Sequence, residues 1–162
     1  YLGSILSLVS VLIYAINIDL FTEWWLGIIL FVIVVSYGVV SSIKSRTILG
    51  GFISFKHAFT SYFITIAIGT LIATVVGIAI FTFIDPEAAT YLNEQILLLT
   101  KQTMERFGMP QEAMQAALDE AAKKDNFSLA AQSQAFVFRL AFYAVIGLIV
   151  ALIVKKTDDK EA

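Results

Sequence analysis

The sequence predicts an all-α integral membrane protein of four spans, with an acidic helical hairpin outside the bilayer between the third and fourth. Three observations carry that expectation. The 162 residues are 59% hydrophobic and only 15% charged, against about 25% charged residues in an ordinary soluble domain. Mean hydropathy is +0.84. The apolar residues fall in long uncharged blocks rather than in the short amphipathic stripes of a soluble core, which is how membrane spans read.

The first block, Leu2 to Ile18, ends at Asp19 and is followed by Phe21, Glu23, Trp24 and Trp25. Paired tryptophans beside an acidic residue mark a headgroup boundary. Taken alone this block resembles a signal-peptide core. Asn17-Ile18-Asp19-Leu20 is no small-residue cleavage site, however, and further spans follow. The chain opens on Tyr1 directly in apolar sequence, so additional residues are expected to precede it.

The second span is expected over Trp24 to Ile43, stopping at Lys44 and Arg46. Ile48 to Phe59 is apolar but broken by Gly50-Gly51, and reads as a loop leading into an interfacial turn. The third span lies within Ala58 to Ile84. Its length exceeds a hydrocarbon core of about 30 Å, so it has to tilt or project beyond it.

Asp85-Pro86 is an N-cap followed by proline at the first helical position, the signal for a new helix. That helix is expected to reach Phe107, with Leu92, Ile96, Leu99 and Thr103 on one stripe, and Gly108 to stop it. A second, alanine-rich helix follows from Pro110 to Lys124. The fourth span, Ala135 to Val154, contains Arg139 and closes on Lys155-Lys156 with a short charged tail that includes Lys160. The expected division is therefore 1–84 for the first three spans, 85–132 for the hairpin, and 133–162 for the last span and tail.

Basic residues near span ends are retained on the cytoplasmic side. Lys44, Arg46 and Lys56 follow the second span and Lys155, Lys156 and Lys160 the fourth, which puts both termini in the cytoplasm. Residues 85–132 hold eight acidic and four basic side chains, and belong on the far side, the periplasm of a two-membrane bacterium. No basic patch invites nucleic acid. Cysteine is absent and His57 is the single histidine, so neither a thiolate nor a multi-histidine metal site is expected, and no cofactor. No internal repeat of the transporter kind is visible.

From Gly50 onward, about two thirds of the chain, the order of landmarks resembles a family of bacterial inner-membrane proteins, domain of unknown function 4199, found mainly in Bacteroidota. The landmarks are Gly51-Phe52-Ile53-Ser54-Phe55 with Ala58-Phe59 ahead of a long span, and Ile84-Asp85-Pro86 at its end. Gly108-Met109-Pro110-Gln111-Glu112 follows between the acidic helices, and Lys155-Lys156 ends the last span. The resemblance implies architecture and an inner-membrane location, and it transfers no catalytic residue.

Among residues able to act, Ser61, Thr65, Gly69, Ala73 and Gly77 recur every fourth position in the third span. Small residues so spaced let a second helix approach closely. That helix is either one of the chain's own, through Gly38 and Ser42 or Gly147 and Ala151, or another subunit. Arg139 either snorkels, pairs with Asp85 or a hairpin carboxylate, or meets a ligand or partner carboxylate. Lys56 and His57 form, with Lys44 and Arg46, a rim suited to anionic headgroups. Asp85 is explained by capping. Tyr91, Leu98, Leu99, Met104, Phe107, Met109, Met114 and Leu118 give the hairpin more apolar surface than one helical pair buries, so Phe107 and Met109 are candidate lipid or partner contacts.

No nucleophile and base pair, metal set or phosphate loop is visible, and no Asp or Glu lies inside a span. A non-catalytic accessory or scaffold subunit of a larger inner-membrane assembly is the expectation. Its partners would be lipids and other membrane subunits, or a second copy. The alternative is a small oligomeric transporter or channel.

Overall fold

A computed structural model describes residues 1–156; the expected contribution of Lys160 lies outside the described residues. The elements in order are α1 (Leu2–Ile16), a 3₁₀ turn (Ile18–Thr22), α2 (Trp24–Ile48), α3 (Phe55–Ile78) continuing into a π-helical turn (Ala79–Ile84), α4 (Pro86–Arg106), α5 (Gln111–Ala122) and α6 (Leu129–Val154). All are helical, as the apolar blocks and caps require.

Three of them are long and apolar enough to cross a membrane: α2, α3 with its π turn, and α6, each with a mean hydropathy of 2.5 or more. Helix α1 is apolar but only 15 residues long, roughly 22 Å at 1.5 Å per residue, short of a hydrocarbon core near 30 Å. The full first span expected over Leu2 to Ile18 is this shorter helix. Its first residues meet the middle of α3, where an added Cβ on Gly69 would lie 2.6 Å from Leu2. Gly69 is 14 residues beyond Phe55, roughly 21 Å along the axis.

Helix α3 is the centre of the bundle, packing against α1, α2 and α6, while α1 barely touches α2. Chain direction alternates from α2 to α3 to α6, which leaves two distinct ends. At the basic end the α2–α3 connection is a tight turn, shorter than the expected loop and interfacial segment. Gly50 and Gly51 take φ of 80° and 94°, values that a side chain with Cβ strains to adopt. This lets the Gly51 N–H reach the Arg46 carbonyl at 2.9 Å. Ser54 then caps α3. The same turn is stitched to the end of α6, because Ile53 and Lys156 exchange two backbone hydrogen bonds of 2.9 and 3.0 Å. The Arg46 guanidinium also donates to the Val154 carbonyl.

At the acidic end α3 widens into the π turn, closed by the Asp85 N–H on the Ile80 carbonyl at 2.7 Å. Asp85 then caps α4, with Pro86 at the first helical position. Helices α4 and α5 run antiparallel, since Asn93 near the start of α4 bonds Asp125 and Asn126 just past the end of α5. Gly108 takes φ 68° between them. Helix α6 starts at Leu129, capped by Ser128, six residues before the expected Ala135. The polar stretch Gln132-Ser133-Gln134 is helical rather than linker because that cap engages first.

Candidate functional site: the two ends of the bundle

The middle and basic half of the bundle close around one aromatic ring. Tyr62 of α3 is fully buried between Gly38 of α2 and Gly147 of α6. A Cβ on either glycine would stand 2.6 Å from the ring, so only glycine lets both neighbouring helices approach this closely. Phe31 and Tyr143 stack beside it, 6.0 Å apart and 14° from parallel.

Hydroxyl groups bind α2 to α3 alongside that ring. Ser42 donates to the Ala58 carbonyl at 2.7 Å, Ser61 to Ser45 at 2.8 Å and Thr65 to Ser41 at 2.7 Å, and Ser41 donates to the Ser61 carbonyl. The structure places the five-residue small stripe on three neighbours rather than one face. Ser61 and Thr65 meet α2, Gly69 meets Leu2 of α1, and a Cβ on Gly77 would lie 3.4 Å from Gln132 of α6. Ala73 lies partly buried between these regions. The cause is helical pitch: four residues overshoot one turn by about 40°, so the stripe winds around α3 as it climbs. Gly38 and Gly147 pack on α3 at Tyr62 and Ser42 at the Ala58 carbonyl, rather than opposite Gly69, and Ala151 is fully buried.

Lys56 and His57 sit exposed in the first turn of α3. The His57 ring lies 3.0 Å from the Ser54 hydroxyl, which also accepts the His57 N–H, so this polar pair serves the helix start. Among the described residues no three His, Asp or Glu side chains cluster as a metal set would.

At the acidic end a second core joins the extra helices to the bundle. Leu92 of α4 is fully buried with Ile80, Phe81, Ala88 and Ala89. Phe81 meets Tyr14 and Phe21 edge-on and Phe127 at 4.8 Å. Two polar bonds fasten the rim. Tyr14 donates to Asp85 at 2.8 Å and Tyr91 to Asp19 at 2.6 Å. The Ala88 N–H and then the Tyr14 hydroxyl hold the Asp85 carboxyl below the usual carboxylate range. The Asp19 carboxylate raises Tyr91 above the usual phenol value. The expected pairing of Arg139 with Asp85 is not made: Asp85 is taken by α1 and by its own helix, and Arg139 has no ion pair among the described residues.

Between these two regions lies a cavity of about 430 Å³. Its walls come from α1 (Leu6, Ser10), α2 (Gly27, Leu30, Phe31, Val34), α3 (Thr70, Ala73, Thr74, Gly77) and α6 (Gln132, Ala135, Arg139, Tyr143), with Phe81 and Phe127 at the acidic end. Gly27, Ala135 and Arg139 are exposed. Thr74 carries a buried hydroxyl with no hydrogen-bond partner among the described residues.

Residues 1–156 match the family described as protein of unknown function, DUF4199. The chain belongs to that family. The match includes the first 49 residues, ahead of the Gly50 at which the resemblance in sequence begins, so α1 and α2 are part of the DUF4199 architecture. No curated protein and no solved structure matches the chain.

Sequence reasoning singled out Arg139 and the small stripe but not Tyr62, Thr74 or Gln132. The spacing of Ser41 and Ser45 on α2, equal to that of Ser61 and Thr65 on α3, is a signal that pairs those two helices. Nothing local marks Tyr62, because its burial depends on two glycines more than 20 and 80 positions away.

Phe107 and Met109 stand where α4 turns into α5, and Phe107 is 85% exposed. Leu98 and Leu99 are exposed along the same pair, whereas Met104, Met114 and Leu118 are partly covered.

Proposed function

We propose that this DUF4199 protein is a non-catalytic accessory or scaffold subunit of a larger inner-membrane assembly, presenting the α4–α5 pair as a contact surface. In this reading α1 belongs to the first of four crossings. The basic end with Lys44, Arg46, Lys56 and Lys155 faces the cytoplasm together with both termini, and α4–α5 form a hairpin in the periplasm.

The observation that supports it is the unequal treatment of the pair's two ends. The Asp85 end is held by a buried core and by hydrogen bonds to Asp85 and Asp19, while the Gly108 end leaves Phe107, Met109 and Leu98 exposed. A fixed base under an apolar tip is what a recruiting surface needs. Aromatics and methionine are side chains that adapt to a partner.

Replacing Met109 with a photo-crosslinking amino acid in intact cells tests this. A discrete protein adduct, retained as a heteromeric complex in mild detergent, is the expected result. Recovery of a homo-oligomer alone, with solute flux after reconstitution in liposomes, would favour the transporter instead. Fusion of a compartment-specific reporter after Gly108 tests the orientation, and activity only in the cytosol would reverse it.

A further inference from the structure

We propose that the cavity beside Arg139 binds an anionic amphiphile, with the acidic head on the Arg139 guanidinium and the tail against Leu6, Leu30 and Val34. The volume, about 430 Å³, is in the range of roughly 300–1,000 Å³ typical of small-molecule sites. Apolar residues make up most of the wall, which suits a hydrocarbon tail.

The polar groups decide the sign of the head. Ser10 and Thr70 donate to carbonyls of their own helices, and the Gln132 amide donates to the Phe127 carbonyl. Asn126 is engaged by Asn93. Arg139 and the buried Thr74 hydroxyl have no partner among the described residues, and Tyr143 lines the wall beside them. Among the described residues no Asp or Glu lines the cavity, and Arg139 gives its wall a positive charge. Arg139 lies four residues beyond Ala135, where the apolar part of α6 begins after Gln132-Ser133-Gln134, roughly 6 Å inside it. At that depth in an apolar span a guanidinium gains from an anion that arrives with its own apolar tail. Exposed Gly27 on α2 and Ala135 on α6 mark a side from which such a molecule enters. A carboxylate on a single chain and the phosphate of an anionic phospholipid share this chemistry.

The test uses the full chain in phosphatidylcholine nanodiscs, with the fluorescent polyene parinaric acid as probe and its alcohol as the uncharged control. The acid is expected to bind at one site and the alcohol more weakly. Arg139→Gln is expected to weaken the acid by about tenfold or more, the effect of one charge-assisted hydrogen bond, while leaving the alcohol unchanged. Gly27→Leu adds bulk at the cavity wall, where a Cβ would meet nothing within 4 Å, and is expected to weaken both probes in a protein that still melts like the parent. Displacement of the probe by phosphatidylglycerol identifies a phospholipid as the natural source; resistance to it identifies the free acid. Equal binding of acid and alcohol, or acid binding unchanged in either variant, would overturn the proposal. None of these results bears on whether Met109 captures a protein partner.

Discussion

The two halves of the bundle are built differently. Toward the basic end every interhelical approach is filled: glycines clasp Tyr62, serine and threonine hydroxyls bridge α2 and α3, and a backbone bridge ties the α2–α3 turn to α6. Toward the acidic end α3 opens into a π turn, and a cavity lies among α1, α2, α3 and α6. In lipid the hydrophobic effect does not press helices together, so close packing and hydrogen bonds must do so. Where both are abundant the bundle is closed. Where side chains leave gaps it is held instead by aromatic contacts around Phe81 and by polar ties at the rim, and π turns are frequent at functional sites.

The largest effect should come from removing the ring at the centre of the closed half. Tyr62→Ala is expected to cost about 3–5 kcal/mol, as large-to-small aromatic substitutions in packed cores do, measured by thermal or denaturant unfolding in detergent. A loss no greater than that of an exposed substitution would mean α2 and α6 do not converge on Tyr62. Gly147→Leu comes next. With a Cβ 2.6 Å from a rigid ring, overpacking should cost about 1–3 kcal/mol or more, and the equivalent change at Gly27, in the open half, should leave the melting temperature near that of the parent.

A smaller effect concerns the rim. Because the Asp85 carboxyl is held below its ordinary value by Ala88 and Tyr14, the stability it contributes is fully present above the ordinary carboxylate range. It fades only as pH falls below that range through the lowered value. The protection of amides at the start of α4, measured as exchange relative to the intrinsic rate at each pH, should therefore fall in acid, and Asp85→Asn should remove that pH dependence. An unchanged acid profile in Asp85→Asn would assign the effect to another carboxylate.

Much of this architecture was legible in the amino acids. Uncharged blocks located the long helices, Asp85-Pro86 marked the start of α4, and Gly108 marked its end. Local signals failed where tertiary contacts decide. The winding of the small stripe over three neighbours follows from helical pitch, yet which neighbour each residue meets depends on where α1 and α6 sit. The π turn lies in uniformly apolar sequence, Ala79–Ile84, with nothing to announce it. Arg139 was visible as a lone charge, but nothing local showed that Asp85 would bond Tyr14 of α1, 71 residues away.

The contrast between a closed and an open half is tested most directly on one helix with one reagent. The chain has no cysteine, so Ala135→Cys and Ala151→Cys each carry a single thiol on α6. Ala135 is exposed on the cavity wall and Ala151 is fully buried. The thiol at position 135 should react with a small water-soluble methanethiosulfonate far faster than that at 151, which should be protected until the protein is denatured. Equal rates in the folded protein would contradict the account.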